Sequence, residues 1–385
     1  MTTSETIDRR RHLFPTLRAG AYLLSHSLGP VPTTAQDAMR RYLKEWQQHT
    51  SEDAWGTRWW ELSRDVGDRI ARLLGAQAGT VQMQPCASIA LYAASSCFDF
   101  SRREKNKVVT TALDFPSMGY IWEGQRRLGA DVCIVPSDDD IVVATERILE
   151  AIDSRTILVA LSHVSYRSSS RVDVEAIVRR AHEVDAYVLL DVYQSVGVME
   201  LDAQGWNVDF LIGGSIKWLC GGPSCGYLYV RPDLHEKFQP RLTGWIAHAD
   251  PFAFSHEGMQ FDSTVRRFAQ GTPAIPSLYS VLPGLEIIEE VGVSVIETES
   301  RRRTQHIVDF ARQHGWRLHS PLEVDRRGGS VMIEVDDPGS TVEKLASKQV
   351  FVDSRPGVGL RVSPHFFNTD EEIDEALDTI MRVLG

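Results

Sequence analysis

The chain has no apolar run approaching the ~18 residues needed to cross a bilayer, and Met1 to Arg11 is polar and charged without the apolar core of a secretion signal. Both absences argue against a membrane or exported protein, so the expected location is the cytoplasm. Cysteine is scarce, five residues at unrelated spacings, with no Cys-x-x-Cys pair and no histidines at zinc-ligand spacing. Neither a disulfide framework nor a metal site is expected. Basic charge is in deficit, 41 Lys and Arg against 52 Asp and Glu, a formal net charge of −11. A phosphate-backbone partner normally meets a basic face, so nucleic acid is not an expected partner. Internal repeats and low-complexity linkers are also missing.

What remains is a globular chain of 385 residues, 43% hydrophobic, long enough for one large domain and one smaller one. Short apolar runs suit strands at Val81 to Gln84, Lys107 to Thr110, Val132 to Val135, Thr156 to Leu161, Val188 to Asp191, Val208 to Ile212 and Gly226 to Val230. Amphipathic stretches between them, Ile89 to Phe98, Tyr120 to Leu128, Val142 to Ala151 and Val174 to Glu183, suit helices. This alternation predicts an α/β fold, a mostly parallel seven-stranded sheet flanked by helices. After Pro276 the pattern turns to two helices, short strands and a closing helix from Glu371 to Leu384, a smaller C-terminal α+β domain. The expected division is 15–270 and 271–385, with residues 1–30 packing on the smaller part.

Ligands of such sheets sit at the carboxyl ends of the strands. Asp191 ends one apolar run there, and Lys217 follows another in a glycine-rich turn, Gly213-Gly214-Ser215-Ile216-Lys217. A lysine amine and a carboxylate at neighbouring strand ends are the minimum for holding pyridoxal 5′-phosphate, which needs an amine for its aldehyde and an anion for its pyridinium nitrogen. Ala87 and Ser88 open a helix after a strand, where backbone N–H groups suit a phosphate, though Ser88 read alone also suits a plain helix cap. Phe115 has the ring to lie on a pyridine or simply to fill core. Gln194 is placed to donate to the phenolate oxygen or to solvent, and Ser215 to reach the phosphate. His163, at a strand end, is either near the cofactor or a satisfied core histidine. Trp55, Trp59 and Trp60 read as core or dimer contacts before a substrate platform.

Six segments carry a resemblance: Ser25-His26-Ser27-Leu28-Gly29-Pro30, Asp114-Phe115-Pro116-Ser117, Leu161 to Arg167, Asp191-Val192-Tyr193-Gln194-Ser195, Leu242 to His248, and Arg267 to Pro273. Together they resemble bacterial kynureninase and the wider class V aminotransferase family of fold-type I pyridoxal phosphate enzymes, over nearly the whole chain. The resemblance implies that Lys217 forms the cofactor aldimine, Asp191 pairs with the ring nitrogen, Phe115 stacks on the ring, and Ala87, Ser88 and Ser215 hold the phosphate. It also implies a homodimer with interfacial sites, to which Trp245 and Thr272 contribute from the second subunit. His26, His248 and Arg361 fall on the substrate side, with Arg361 in the role that binds an amino-acid α-carboxylate.

Departures narrow the expectation. Ile216 stands where kynureninases have a proton-transferring tyrosine, Gln194 replaces a histidine, and His26 replaces an asparagine. The segment Val352 to Gly357 lacks the cysteine nucleophile of desulfurases. The expected activity is that of a lyase cleaving a Cβ–S or Cβ–Cγ bond of an amino acid, through the aldimine and a quinonoid. The alternatives are a class V aminotransferase, and behind it an epimerase or an inactive cofactor-binding protein.

Overall fold

The computed structural model describes residues 10–50 and 53–385; the polar residues 1–9 read for a secretion signal lie outside the described residues. The chain begins with a short strand β1 (Ala21–Tyr22) and helices α1 (Ala35–Gln48) and α2 (Trp60–Leu73). The alternation follows as β2 (Val81–Gln84), α3 (Ala87–Ser95), β3 (Lys107–Thr111), α4 (Pro116–Arg126), β4 (Asp131–Val135), α5 (Thr145–Ala151), β5 (Thr156–Ser162), α6 (Val174–Glu183), β6 (Tyr187–Asp191), β7 (Phe210–Gly214) and β8 (Gly226–Val230). Helices α7 (Ile275–Val291) and α8 (Val293–Gln313) lead into β9 (Val331–Ile333), α9 (Pro338–Ser347), β10 (Val350–Phe351), β11 (Asp353–Arg355), β12 (Gly359–Val362) and α10 (Asp370–Leu384).

Two expected boundaries move for a local reason. The strand expected at Val208 to Ile212 starts at Phe210, because the Asp209 carboxylate turns back to accept the Val188 N–H at 2.7 Å and His182 Nε2 at 3.0 Å. The helix expected from Val142 starts at Thr145, because Asp139 accepts the N–H groups of Ile141 and Val142 and holds them in a turn.

The seven expected strands form one sheet in the order β2-β8-β7-β6-β5-β3-β4. β8 runs antiparallel to both its neighbours and the other pairings are parallel, so β2, β5, β6 and β7 present their carboxyl ends on one edge. Both faces are covered, and successive side chains enter different cores: Val159, Leu161, Val188, Leu190 and Leu211 on one side, Leu158, Ala160, Leu189, Phe210 and Ile212 on the other. This explains why the strands read as continuous apolar runs rather than as alternation.

A third core lies among β9, β12, α8 and α10, with Ile307, Ile333, Leu360, Val362 and Leu377 fully buried or nearly so. β1 pairs in parallel with β10, Ala21 opposite Val350, which lays the start of the described chain on this C-terminal layer. α10 enters through a capping box: the Thr369 hydroxyl accepts the Glu372 N–H while Glu372 accepts the Thr369 N–H. Thr369→Ala should therefore lower stability by about 1 kcal/mol, read as a lower midpoint in urea denaturation with an unchanged slope. No helix of the described residues is long and apolar enough to cross a membrane.

Candidate active site

The carboxyl ends of β5 and β6 stand side by side, Ser162 opposite Asp191, and Asp191 is opposite Ile212 of β7. Beyond them opens a cavity of about 260 Å³ whose lining includes Lys217, Asp191, Phe115, Ala87, Ser88 and Gln194. Six of the expected cofactor-binding residues thus meet in one place, although they come from segments more than a hundred positions apart.

Lys217 is presented by a turn that closes on itself. The Ser215 N–H donates to Cys225 O, Gly221 N to Ser215 O, and Cys220 N to Lys217 O. Cys220 takes a left-handed φ of 51°, unusual for a residue with a side chain. Glycine is required where the turn leaves the sheet, since a Cβ on Gly214 would come within 2.5 Å of the Tyr193 hydroxyl. From the other side Gly29 donates its N–H to Ile216 O at 2.7 Å, and a Cβ there would collide with the Lys217 carbonyl. The N-terminal segment is therefore part of the lysine turn's support.

The Lys217 Nζ lies 4.3 Å from the Tyr193 ring centre and 5.8 Å from that of Phe115. Burial pushes its pKa down to about 8; the Arg361 and Arg355 charges act in the same direction and Asp191 opposes them. Burial also lifts the Asp191 carboxyl to about 6, even though it accepts the Tyr193 N–H at 2.8 Å and faces the Lys217 charge. A carboxyl left so close to neutrality has room for a stronger cationic partner. Asp114, buried and also shifted upward by burial, accepts N–H groups from Thr111 and Ser162 and ties β3 to β5 beneath the site.

Around the cavity, N-cap Cys86 makes no side-chain cap to α3, and the first-turn N–H groups of a helix have no intrahelical acceptor. Those of Ala87 and Ser88 remain available for an anion. Phe115, 44% exposed, packs edge-on against Tyr166 at 5.1 Å. Gln194 is held at both ends, its amide donating to His26 O at 3.1 Å and accepting from Trp218 Nε1 at 3.3 Å. One of its N–H groups is left over.

Other expected residues are placed elsewhere. The Ser215 hydroxyl, expected at the phosphate, is buried beneath the turn and donates to Gly222 O at 2.8 Å. His26, expected on the substrate, is buried with both ring nitrogens engaged, by the Ser363 hydroxyl and by Asp353 Oδ1. Arg361, 2% exposed, donates through Nε and Nη2 to the two oxygens of Asp353 at 2.8 and 2.6 Å, and through Nη1 to Tyr166 O. Trp245 lies outside the cavity lining, 6.1 Å from Trp60 in an aromatic group with Phe252 and Phe254. Thr272 lines a separate cleft with Trp60 and Gln84, and His248 sits on the surface holding Asp250. His163 is a core residue with Nδ1 on the Ser195 hydroxyl, its pKa pushed to about 3 by burial.

Tyr193, Tyr166, Asp114 and Asp353 received no role from the sequence. A signal for Asp353 exists there: Pro356-Gly357 marks a hairpin, and with a three-residue loop, Pro356 to Val358, Asp353 falls opposite Arg361, the pairing found between β11 and β12.

The family model "Aminotransferase class-V" matches residues 21–375. The chain is 30% identical over 97% of its length to the uncharacterized aminotransferase YcbU of Bacillus subtilis, covering 97% of that protein. It is 28% identical to the kynureninase of Pseudomonas fluorescens, over 94% of this chain and 89% of that one. Among solved structures, a cysteine desulfurase from Thermococcus onnurineus superposes with a TM-score of 0.86 at 22% identity, covering 98% of this chain and 97% of the other. The cystine C-S lyase C-DES superposes at 0.85 and 19%, covering 95% of this chain and 98% of the other. A mostly parallel seven-stranded sheet, a lysine and an acid in one cavity at its carboxyl edge, and a match over most of the sequence agree: this chain belongs to the aminotransferase class-V family.

Proposed function

We propose that this protein is a pyridoxal-phosphate-dependent lyase that cleaves a Cβ–S or Cβ–Cγ bond of an amino acid. The observation that carries the proposal is the Lys217 amine and the Asp191 carboxyl lining one cavity, the first held near neutral pKa and the second short of a full counter-charge. These residues fit the cofactor, as do the unpaired N–H groups at the start of α3 for its phosphate. A C-DES structure with glycine linked to the PLP cofactor shares the fold at a TM-score of 0.85.

When bound, pyridoxal phosphate supplies an aldehyde and an electron-withdrawing ring that stabilises negative charge at the substrate's Cα. The protein's own groups do the rest. Asp191 would hold a proton on the ring nitrogen, Phe115 would lie against the ring, and the N–H groups of Ala87 and Ser88 would receive the phosphate. The remaining Gln194 N–H suits the phenolate oxygen. Arg361 stands behind the cavity wall, bonded to the carbonyl of the lining residue Tyr166, and would receive the α-carboxylate of the amino acid. Lys217, with a pKa near 8, takes and returns the Cα proton at its Nζ close to neutral pH. Trp245, Thr272 and His248 lie off this cavity, which fits their belonging to the site of a second copy in a homodimer.

The 28% identity to a kynureninase over 94% of this chain supports the lyase outcome. Transamination is the second reading, favoured by the 30% identity to YcbU. Purified holoenzyme given cysteine conjugates or kynurenine analogues should release pyruvate or alanine without any keto acid. Keto-acid-dependent amino transfer without such release rejects the lyase reading.

A pH dependence follows from the lysine. Nucleophilic uptake of the aldehyde needs the neutral amine, so cofactor uptake by apoprotein should rise about tenfold per pH unit below pH 8 and level off above it. Stopped-flow absorbance measures this; an inflection near 10.5 would mean an unperturbed lysine.

A further inference from the structure

The guanidinium of Arg361 carries five N–H groups, one on Nε and two on each terminal nitrogen. Nε and Nη2 form a side fork, and both are given to the Asp353 carboxylate, at 2.8 and 2.6 Å. Nη1 gives one N–H to Tyr166 O at 3.1 Å. One N–H on each terminal nitrogen is left, enough for a two-point contact with a carboxylate. The residue that fills the side fork is itself anchored from several sides. Asp353 is directly opposite Arg361 in the β11–β12 ladder. Its Oδ1 meets His26 Nε2 at 2.9 Å, and its Oδ2 meets Arg355 Nη1 at 3.1 Å. His26 in turn rests on the Ser363 hydroxyl, which donates to Leu23 O at 2.9 Å. Although burial raises the Asp353 pKa, the bonds from His26 and Arg361 outweigh it and keep the group ionised.

We infer that Asp353 is the positioning residue for the substrate's α-carboxylate: it occupies the side fork of Arg361, so that an incoming carboxylate is received only by the end pair Nη1 and Nη2. The inference rests on the reading of Arg361 as the carboxylate receiver. Asp353 also cancels one of the two positive charges of Arg355 and Arg361, leaving the balance for a single carboxylate. A guanidinium freed from Asp353 has two forks to offer, and a carboxylate seated in the wrong one swings the Cα–H away from Lys217. Binding then survives while proton removal suffers.

The test uses holoenzyme with L-alanine and L-alaninamide as probes, which differ in the carboxylate alone. Calorimetry measures binding, and proton NMR in D₂O measures Cα–H exchange, a reaction that does not depend on which bond the natural substrate breaks. In Asp353→Asn, whose amide N–H faces the Arg361 fork with a donor, the saturated exchange rate of L-alanine should fall at least tenfold while its half-saturating concentration and dissociation constant move less than threefold. His26→Gln, which loosens Asp353 without removing its charge, should shift the same quantities in the same direction by a smaller factor, and covers the case of an unstable Asp353→Asn protein. Unchanged saturated exchange in both variants, or a loss confined to binding, overturns the inference. Arg361→Gln separates the two layers: wild type should prefer L-alanine to L-alaninamide by at least tenfold, and retention of that preference in Arg361→Gln sinks the reading of Arg361 itself, whatever Asp353 does.

Discussion

Lys217→Ala should lose at least about 10⁴-fold in turnover with any amino acid, because under the proposed function one side chain is both the covalent anchor and the Cα base. The loss should be accompanied by a change that no general weakening of the fold produces. Wild-type protein reconstituted with pyridoxal phosphate should keep the cofactor through denaturing gel filtration after borohydride reduction, and Lys217→Ala should release all of it. Cofactor retained covalently in the variant would assign the anchor to another amine. The structure favours Lys217 for this role, since burial and two arginine charges lower its pKa to about 8.

Asp191→Asn should lower turnover on the order of 10²- to 10³-fold, the range for removing one preorganised electrostatic partner of developing charge. Its effect on stability should have the opposite sign. Burial raises the Asp191 pKa to about 6 in the folded protein, above the 3.8 of an exposed aspartate. The stabilisation attached to the protonated form is fully present below pH 3.8 and disappears as pH rises through 6. An asparagine does not ionise and keeps an acceptor for the Tyr193 N–H. Apoprotein Asp191→Asn should therefore match wild type at pH 4 and exceed it by about 1 to 3 kcal/mol at pH 8, measured by chemical denaturation at both values. Equal stability at both would show that Asp191 has a counter-charge in the apoprotein. A residue that costs stability when ionised and raises turnover is kept for function.

Much of the site was legible along the chain because it rests on backbone periodicity. Asp191 ends an apolar run and Lys217 follows another through paired glycines, and a strand end in a parallel sheet has only one edge on which to arrive. The helix start at Ala87 is readable in the same way. Ser215 stands two residues before the lysine, and the turn folds back so that its hydroxyl donates to Gly222 O, a contact that spacing along the chain does not show. His26 was placed on the substrate by its segment, whereas its ring reaches backwards to Ser363 and Asp353.

Composition and alternation, with no coordinates, were enough for the α/β class, seven of the strands, and the placing of Lys217 and Asp191 at neighbouring strand ends where an aldehyde cofactor suits them, since each follows from short-range pattern along one stretch of chain. The surroundings of Arg361 followed a different logic. They depend on where Leu23, His26, Tyr166, Asp353, Arg361 and Ser363 come together, and the contacts of His26 with Ser363 and Asp353 and of Ser363 with Leu23, each spanning more than three hundred positions, depend on how β1 pairs with β10 and β11 with β12. Folding writes those contacts through long-range packing, which spacing along a chain does not encode.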